Sequence, residues 1–120
     1  MGENNVERLF AYNKVINSNF SIMKDSITVP SCVREIIEIC AYIDNGTNHS
    51  VRGFLSIFNE KTNEQLLNST LINNDKRHYN QKRVVTHHFP RRNNMSFVLD
   101  MAAIDKTQPL RLVILFKYRK

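Results

Sequence analysis

Residues 110–118 read Leu-Arg-Leu-Val-Ile-Leu-Phe-Lys-Tyr. Apolar or aromatic side chains occupy every second position from Leu110 to Tyr118, and the positions between them are mixed, with Arg111 and Lys117 near the two ends. A repeat of two places the first set on one face of a β-strand. The stretch therefore predicts a C-terminal strand that lies well inside a sheet and is basic at both ends.

Apolar runs of similar length recur upstream, separated by residues typical of turns. They predict strands at 20–29, 51–58, 65–72 and 96–102. The polar residues 59–64 indicate a hairpin between the second and third of these strands, and the connection through Pro109 indicates another between 96–102 and the C-terminal strand. Asn45-Gly46 is a strong turn signal before residue 51.

Two segments fit either a strand or a helix. A helix over residues 31–43, capped by Ser31, would have an apolar face formed by Val33, Ile36, Ile37 and Cys40. We favour a strand there because β-branched residues dominate and a turn follows. Residues 6–16 are ambiguous in the same way. The predicted fold class is all-β, an antiparallel β-sandwich or small barrel of about six to eight strands with room for one short helix, and the alternative is α+β with a helix at 31–43.

Length and composition indicate one domain. The chain has 120 residues, 42% hydrophobic and 23% charged, as expected for a single globular domain over residues 1–120. No apolar run approaches the roughly 18 residues that cross a bilayer, and no signal-peptide core follows Met1. We therefore expect no membrane partner and an intracellular location, in cytoplasm or nucleus, with association with a virion as a further option. Cys32 and Cys40 are too far apart for a disulfide within one regular element and are predicted to be free thiols.

Positive charge is concentrated in the C-terminal third of the chain. Residues 1–75 contain six Lys and Arg against nine Asp and Glu, whereas residues 76–120 contain eleven against two. The densest part is residues 76–92, which carry six formal positive charges and no acid. The net charge of +6 therefore hides a steep asymmetry, and such asymmetry favours a polyanionic partner on one side of the molecule.

The residue types in this basic segment suit a nucleic acid. Arg and Lys bind phosphates, and aromatic or imidazole rings stack on unpaired bases. The predicted contact residues are Lys76, Arg77, His78, Tyr79, Lys82, Arg83, His88, Arg91 and Arg92. The simpler reading is a solvated polar loop between two strands, which charge alone does not distinguish from a binding site.

The first functional hypothesis is a non-enzymatic nucleic-acid-binding protein, such as a small viral coat protein, nucleoprotein or accessory protein. RNA and DNA fit equally well. The alternative is a self-assembling or protein-interaction module with a basic face, in which the late strands pair edge to edge with another copy.

A histidine nuclease that needs no metal is a further alternative. It would use His78, His87 or His88 as acid and base beside Lys82, but their spacing carries no specificity. The chain contains no phosphate-binding glycine loop, Cys-x-x-Cys or His-Glu-x-x-His motif, so no cofactor or metal is predicted. Asp100 and Asp105 could hold a divalent ion, although such residues are more often a strand-edge acid and a turn former.

Overall fold

The computed structural model describes residues 6–16, 22–44, 52–73, 83–90, 93–101 and 110–120, with the backbone alone at 73, 83–87 and 110. Eight strands account for most of them: β1 (Glu7–Ile16), β2 (Ile22–Ile27), β3 (Glu35–Asp44), β4 (Arg52–Asn59), β5 (Gln65–Asn73), β6 (Arg83–His88), β7 (Met95–Met101) and β8 (Leu110–Arg119). These ranges contain no helix. In particular, no helix that could cross a membrane occurs among the described residues.

The strands form two antiparallel sheets that face each other. Sheet A has the order β1-β8-β3-β6, and sheet B has the order β2-β7-β4-β5. Eight strands divided in this way, with consecutive strands mostly in opposite sheets, are the jelly-roll form of the β-sandwich. The all-β prediction is confirmed, and β8 lies inside sheet A between β1 and β3 as expected.

The alternative helix at 31–43 is wrong, and a bulge explains why the pattern fits one. The pairing of β3 shifts register between Ile36 and Glu38. Because Ile37 is the extra residue, Ile36 and Ile39 both point into the core although they are three positions apart, which is helical spacing. β-branched side chains fill the strand, and Ile36, Ile39 and Ile43 are all fully buried.

β1 resembles a helix in sequence for a different reason. Its inner face contributes Phe10 and Ile16 to the core, while Leu9 and Val15 point away from it and are exposed. Apolar side chains on both faces of a strand break the simple repeat of two. The ambiguity at residues 6–16 therefore reflects the exposed apolar side chains of an edge strand.

One predicted hairpin is confirmed and the other is wrong. β4 pairs with β5, and the turn between them is held by Asn59, whose Oδ1 accepts the N–H groups of Lys61 (2.9 Å) and Thr62 (3.2 Å). β7 and β8, by contrast, lie in different sheets. Pro109 lies outside the described residues, and a turn signal in the sequence does not distinguish a hairpin from a crossing between sheets.

The core lies between the two sheets and is formed by alternate side chains of both. Phe97 from sheet B and Phe116 from sheet A are fully buried, as is Phe89 just after β6. Phe10 stacks on Phe116 with ring centroids 4.7 Å apart. Tyr12 meets Phe97 edge to face at 5.4 Å, so an aromatic contact joins the sheets beside β1.

Candidate interaction surfaces

The basic segment lies mostly outside the described residues. This is so for Lys76, Arg77, His78, Tyr79, Lys82, Arg91 and Arg92. The two other predicted contact residues, Arg83 and His88, begin and end β6. Phosphate binding by this segment therefore stays a prediction.

The basic segment consists of two basic runs, residues 76–83 and 87–92, which are joined through β6, and β6 forms one edge of sheet A. The backbone of Arg83 pairs with Ile39, and that of His88 pairs with Glu35. Six residues of strand span about 17 Å, and the side chain of His88 is exposed. The two basic runs are therefore attached at opposite ends of one edge strand rather than to a single loop.

The candidate catalytic and metal-binding residues do not converge within the described ranges. There, no group of three or more His, Cys, Asp or Glu side chains could hold a metal ion. Asp100 is exposed on β7, whereas Asp105 lies outside the described residues and the side chain of His87 is not described. The nuclease hypothesis stays a prediction.

Neither Cys32 nor Cys40 forms a disulfide in the described structure, as predicted. Cys32 is half-buried, and its Sγ lies 3.7 Å from the hydroxyl oxygen of Tyr118. This hydrogen bond, together with burial, raises the pKa of Tyr118 above its ordinary value. Cys40 is buried on the outer side of β3.

A polar cluster joins the edge strands β1 and β2. Lys14 Nζ donates a hydrogen bond to Asp25 Oδ2 at 2.7 Å, and the Tyr12 hydroxyl donates to the same oxygen at 3.3 Å. The hydrogen bond from Lys14 is the main reason that the pKa of Asp25 is lowered. Burial, and next the charge of Asp25, raise the pKa of Tyr12 to about 12. The cluster places β2 directly across the sandwich from β1.

Ion pairs cover one end of the outer face of sheet A. Arg119 Nη1 lies 2.9 Å from Glu35 Oε1, and Nη2 lies 3.5 Å from Glu7 Oε1. Lys117 Nζ lies 3.2 Å from Glu38 Oε2 and 3.6 Å from Glu7 Oε2. The interaction with Glu38 is the main cause of the raised pKa of Lys117. Each charge on this part of the face is balanced by a neighbour in the same chain.

The outer face of sheet B is different because it leaves apolar side chains exposed. Ile22 is 51% exposed, Phe54 46% and Leu71 49%. Strand pairing aligns Ile22, Asp100, Phe54 and Leu71 in one row across all four strands. A shallow, open depression of about 290 Å³ lies beside this row, lined by Lys24, Asp25, Ser26, Phe58, Ser96, Phe97 and Val98. Phe54 and Leu71 are direct neighbours in this row, whereas the exposed Asp100 separates them from Ile22. Exposed apolar side chains grouped on one face and bordered by polar residues are typical of a protein-interaction surface.

Three of the four edge strands in the described structure carry a feature that limits pairing with another chain. β2 and β6 have six residues each. β5 is interrupted by a bulge at Ser69, where φ is +42° and the N–H donates to Ser56 Oγ at 2.9 Å. Short edge strands and bulges are two ways in which proteins prevent edge-to-edge association.

β1 is the exception among these edges. It is ten residues long and pairs with β8 over all ten without a register shift, and no other described strand pairs with it. On its outer face Leu9 is 66% exposed and Val15 is 48% exposed. A long, regular edge with exposed apolar side chains favours pairing with another strand.

The expectation that the late strands supply a free edge is wrong, because β7 and β8 are interior strands of their sheets. Sequence reasoning also missed the exposed apolar residues on β1 and sheet B. The available signal was a strand with apolar residues at consecutive positions, such as Phe54-Leu55 and Leu71-Ile72. Where one of two neighbours faces the core, the other must face outward.

No family model matches this chain, and no curated protein matches it. Among solved structures the chain is similar to Drosophila NLP-core, whose crystal structure was described as giving insight into pentamer formation and histone binding. The alignment covers 94% of this chain and 98% of that chain, with 10% sequence identity and a TM-score of 0.44.

Proposed function

We propose that this chain is a non-enzymatic self-assembly module in which β1 pairs edge to edge with β1 of a second copy. The observation that supports the proposal is the ten-residue edge of β1, which has an unbroken register on one side and no described partner on the other. Exposed strand edges present backbone N–H and C=O groups that another strand satisfies. Pairing would join two copies of sheet A into one eight-stranded sheet.

The side chains of β1 favour one antiparallel register. When the two-fold axis passes through Tyr12, Leu9 lies opposite Val15 of the second copy, and this apolar pair forms twice. When the axis instead passes through Ala11, Arg8 lies opposite Lys14 of the second copy. Like charges directly opposite each other are destabilising, so the Tyr12 register is preferred.

Lys14 is the residue of β1 best placed to oppose pairing, since charged side chains on an edge strand discourage association. Its charge is balanced by Asp25 at 2.7 Å. In the Tyr12 register Lys14 lies opposite Phe10 of the second copy rather than opposite another cation. The edge therefore carries no uncompensated repulsion at this position.

Sedimentation velocity over a range of concentrations tests the proposal. We expect the unmodified chain to form a dimer or a larger species, and the double variant Leu9→Lys/Val15→Lys to be a monomer, because four lysines would face each other across the two-fold axis. Both side chains are exposed, so their replacement should not unfold the chain.

Leu71→Lys is the matched control, since Leu71 is equally exposed on an edge strand at the other side of the sandwich. It should still form at least a dimer. A monomeric unmodified chain at high protein concentration, or a double variant that associates as strongly as the unmodified chain, would overturn the proposal.

Nucleic-acid binding is the second candidate function. It is supported by the charge distribution, and by the position of Arg83 and His88 at the two ends of edge strand β6, which lies across sheet A from β1. Because β1 and β6 are opposite edges, self-assembly through β1 would leave β6 available for an anionic partner. The salt dependence of binding tests this candidate.

A further inference from the structure

We infer that the outer face of sheet B packs against the same face of a second dimer, so that the chain assembles into a tetramer of two β1-paired dimers. The inference rests on the proposed function, because the dimer is what makes the surface large enough. The proposed binding partner of the outer face of sheet B is thus another copy of this chain.

The geometry of β1 pairing places two sheet B faces side by side. A two-fold axis perpendicular to sheet A keeps both copies of sheet B on the same side of the joined sheet. The hydrogen bonds from Tyr12 and Lys14 to Asp25 position β2 across from β1. The two outer faces consequently adjoin along their β2 edges and look in the same direction.

The area of the outer face of sheet B indicates whether a single chain or only a β1-paired dimer can form a stable face-to-face interface. Four strands about 4.8 Å apart, with a mean length of about 25 Å, give a projected face of roughly 480 Å². A stable interface buries about 800 Å² on each partner. One chain supplies only about 60% of that area, whereas a β1-paired dimer exceeds it, so face-to-face packing should require the dimer.

The composition of the face suits sheet-on-sheet packing. Ile22, Phe54 and Leu71 lie in one row on β2, β4 and β5, with Asp100 at the β7 position of the row, and the three apolar side chains are each about half exposed. Two β-sheets pack about 10 Å apart through interdigitated side chains of this kind. Burial of these three side chains supplies the apolar centre that stable interfaces need.

The charges of the face indicate that its partner is an identical face. Lys24 and Asp100 are both exposed there, and in the described part of the chain neither forms an ion pair. They lie one row apart on neighbouring strands, because Lys24 pairs with Val98 and Ile22 pairs with Asp100. The face carries both signs of charge, Lys24 and Arg52 against Asp100, and a two-fold axis between two such faces that brings Lys24 to Asp100 of the facing chain does so twice.

A charge exchange tests this arrangement. Lys24→Asp and Asp100→Lys, made singly, should each weaken tetramer formation from dimers by at least about tenfold, because each creates like charges across the interface. The double variant Lys24→Asp/Asp100→Lys should restore the tetramer. Lys61→Asp, in the exposed β4–β5 turn, makes the same change in net charge as Lys24→Asp and should have no effect.

Sedimentation equilibrium of the unmodified chain and these variants gives distinguishable outcomes. Phe54→Lys should stop assembly at the dimer, whereas Leu9→Lys/Val15→Lys should stop it at the monomer. An unmodified chain that stops at the dimer would overturn the tetramer and leave the β1 dimer standing. A tetramer that is insensitive to Phe54→Lys, or single charge variants that the double variant does not rescue, would likewise overturn it. An unmodified chain that is monomeric would overturn both proposals.

Discussion

Tyr12 connects the core of the sandwich to its polar edge. Its ring packs against Phe97, and its hydroxyl donates to Asp25. Burial and the nearby carboxylate both disfavour the tyrosinate, so the pKa of Tyr12 rises from 10.0 to about 12. Folding therefore favours the neutral form, and this contribution to stability is complete below pH 10 and is lost as the pH rises through about 12.

The ultraviolet titration of the folded chain should report this environment. We expect Tyr12 and Tyr118 to ionise above the ordinary tyrosine range, because the pKa of each is raised. Tyr12→Phe keeps the ring against Phe97 and should remove one late-titrating group without changing the others. If all tyrosines ionise together near pH 10 while the chain remains folded, the proposed environment of Tyr12 is wrong.

Individual residues also show why the basic segment could be predicted from the sequence and why the exposed apolar surfaces could not. Lys76 and Arg92 stand out from composition alone, because charge density needs no knowledge of the fold. Phe54 and Leu71 do not, since an apolar side chain in a strand is normally assigned to the core. Only the pairing of Phe54 with both Asp100 and Leu71 shows that the residues share an exposed row.

At the scale of elements, strand positions follow from local sequence and strand partners do not. The repeat of two from Leu110 to Tyr118 predicts β8 and its buried face, and both are observed. The partner of β8 along the chain was predicted to be β7, yet the observed partners are β1 and β3. A jelly roll pairs strands distant in sequence, and turn residues carry no information about those pairings.

Irregularities within strands explain why the sequence of β3 also fits a helix and why the edge strands differ in how easily they could pair. The bulge at Ile37 shifts the inward repeat of β3 and imitates helical spacing. A second irregularity, at Ser69 in β5, protects an edge by breaking its hydrogen-bonding pattern. β1 has neither feature, and this difference between edge strands is the physical basis of the proposed assembly.

At the scale of the whole molecule, charge and apolar surface are separated. The basic runs flank β6 at one edge of sheet A, and the open edge of β1 lies at the other. An assembly joined through β1 and the outer face of sheet B would carry its basic edges on the outside. Several basic edges on one particle would strengthen binding to a polyanion beyond that of a single chain.

The salt dependence of oligonucleotide binding tests whether the basic segment has a polyanionic partner. If Lys76, Arg77, Lys82, Arg91 and Arg92 contact phosphates, the affinity for an oligonucleotide should fall steeply with salt, each contact adding roughly 0.7–0.9 to the logarithmic slope. Fluorescence anisotropy at several salt concentrations measures the affinity and so gives this slope. Arg91→Ala/Arg92→Ala should reduce the slope, whereas Lys61→Ala, a basic residue outside the segment, should not. A slope near zero would exclude a phosphate-binding role for the segment.

Amide hydrogen exchange at low and high protein concentration tests the pairing of β1 most directly. Pairing with a second copy would give hydrogen-bond partners to those β1 amides that face the open edge, and exchange would slow there. We predict that alternate amides between Glu7 and Ile16 become protected as concentration rises, while the edge amides of β5 exchange at an unchanged rate. If the β1 amides exchange equally fast at every protein concentration, the proposed pairing of β1 with a second copy is wrong.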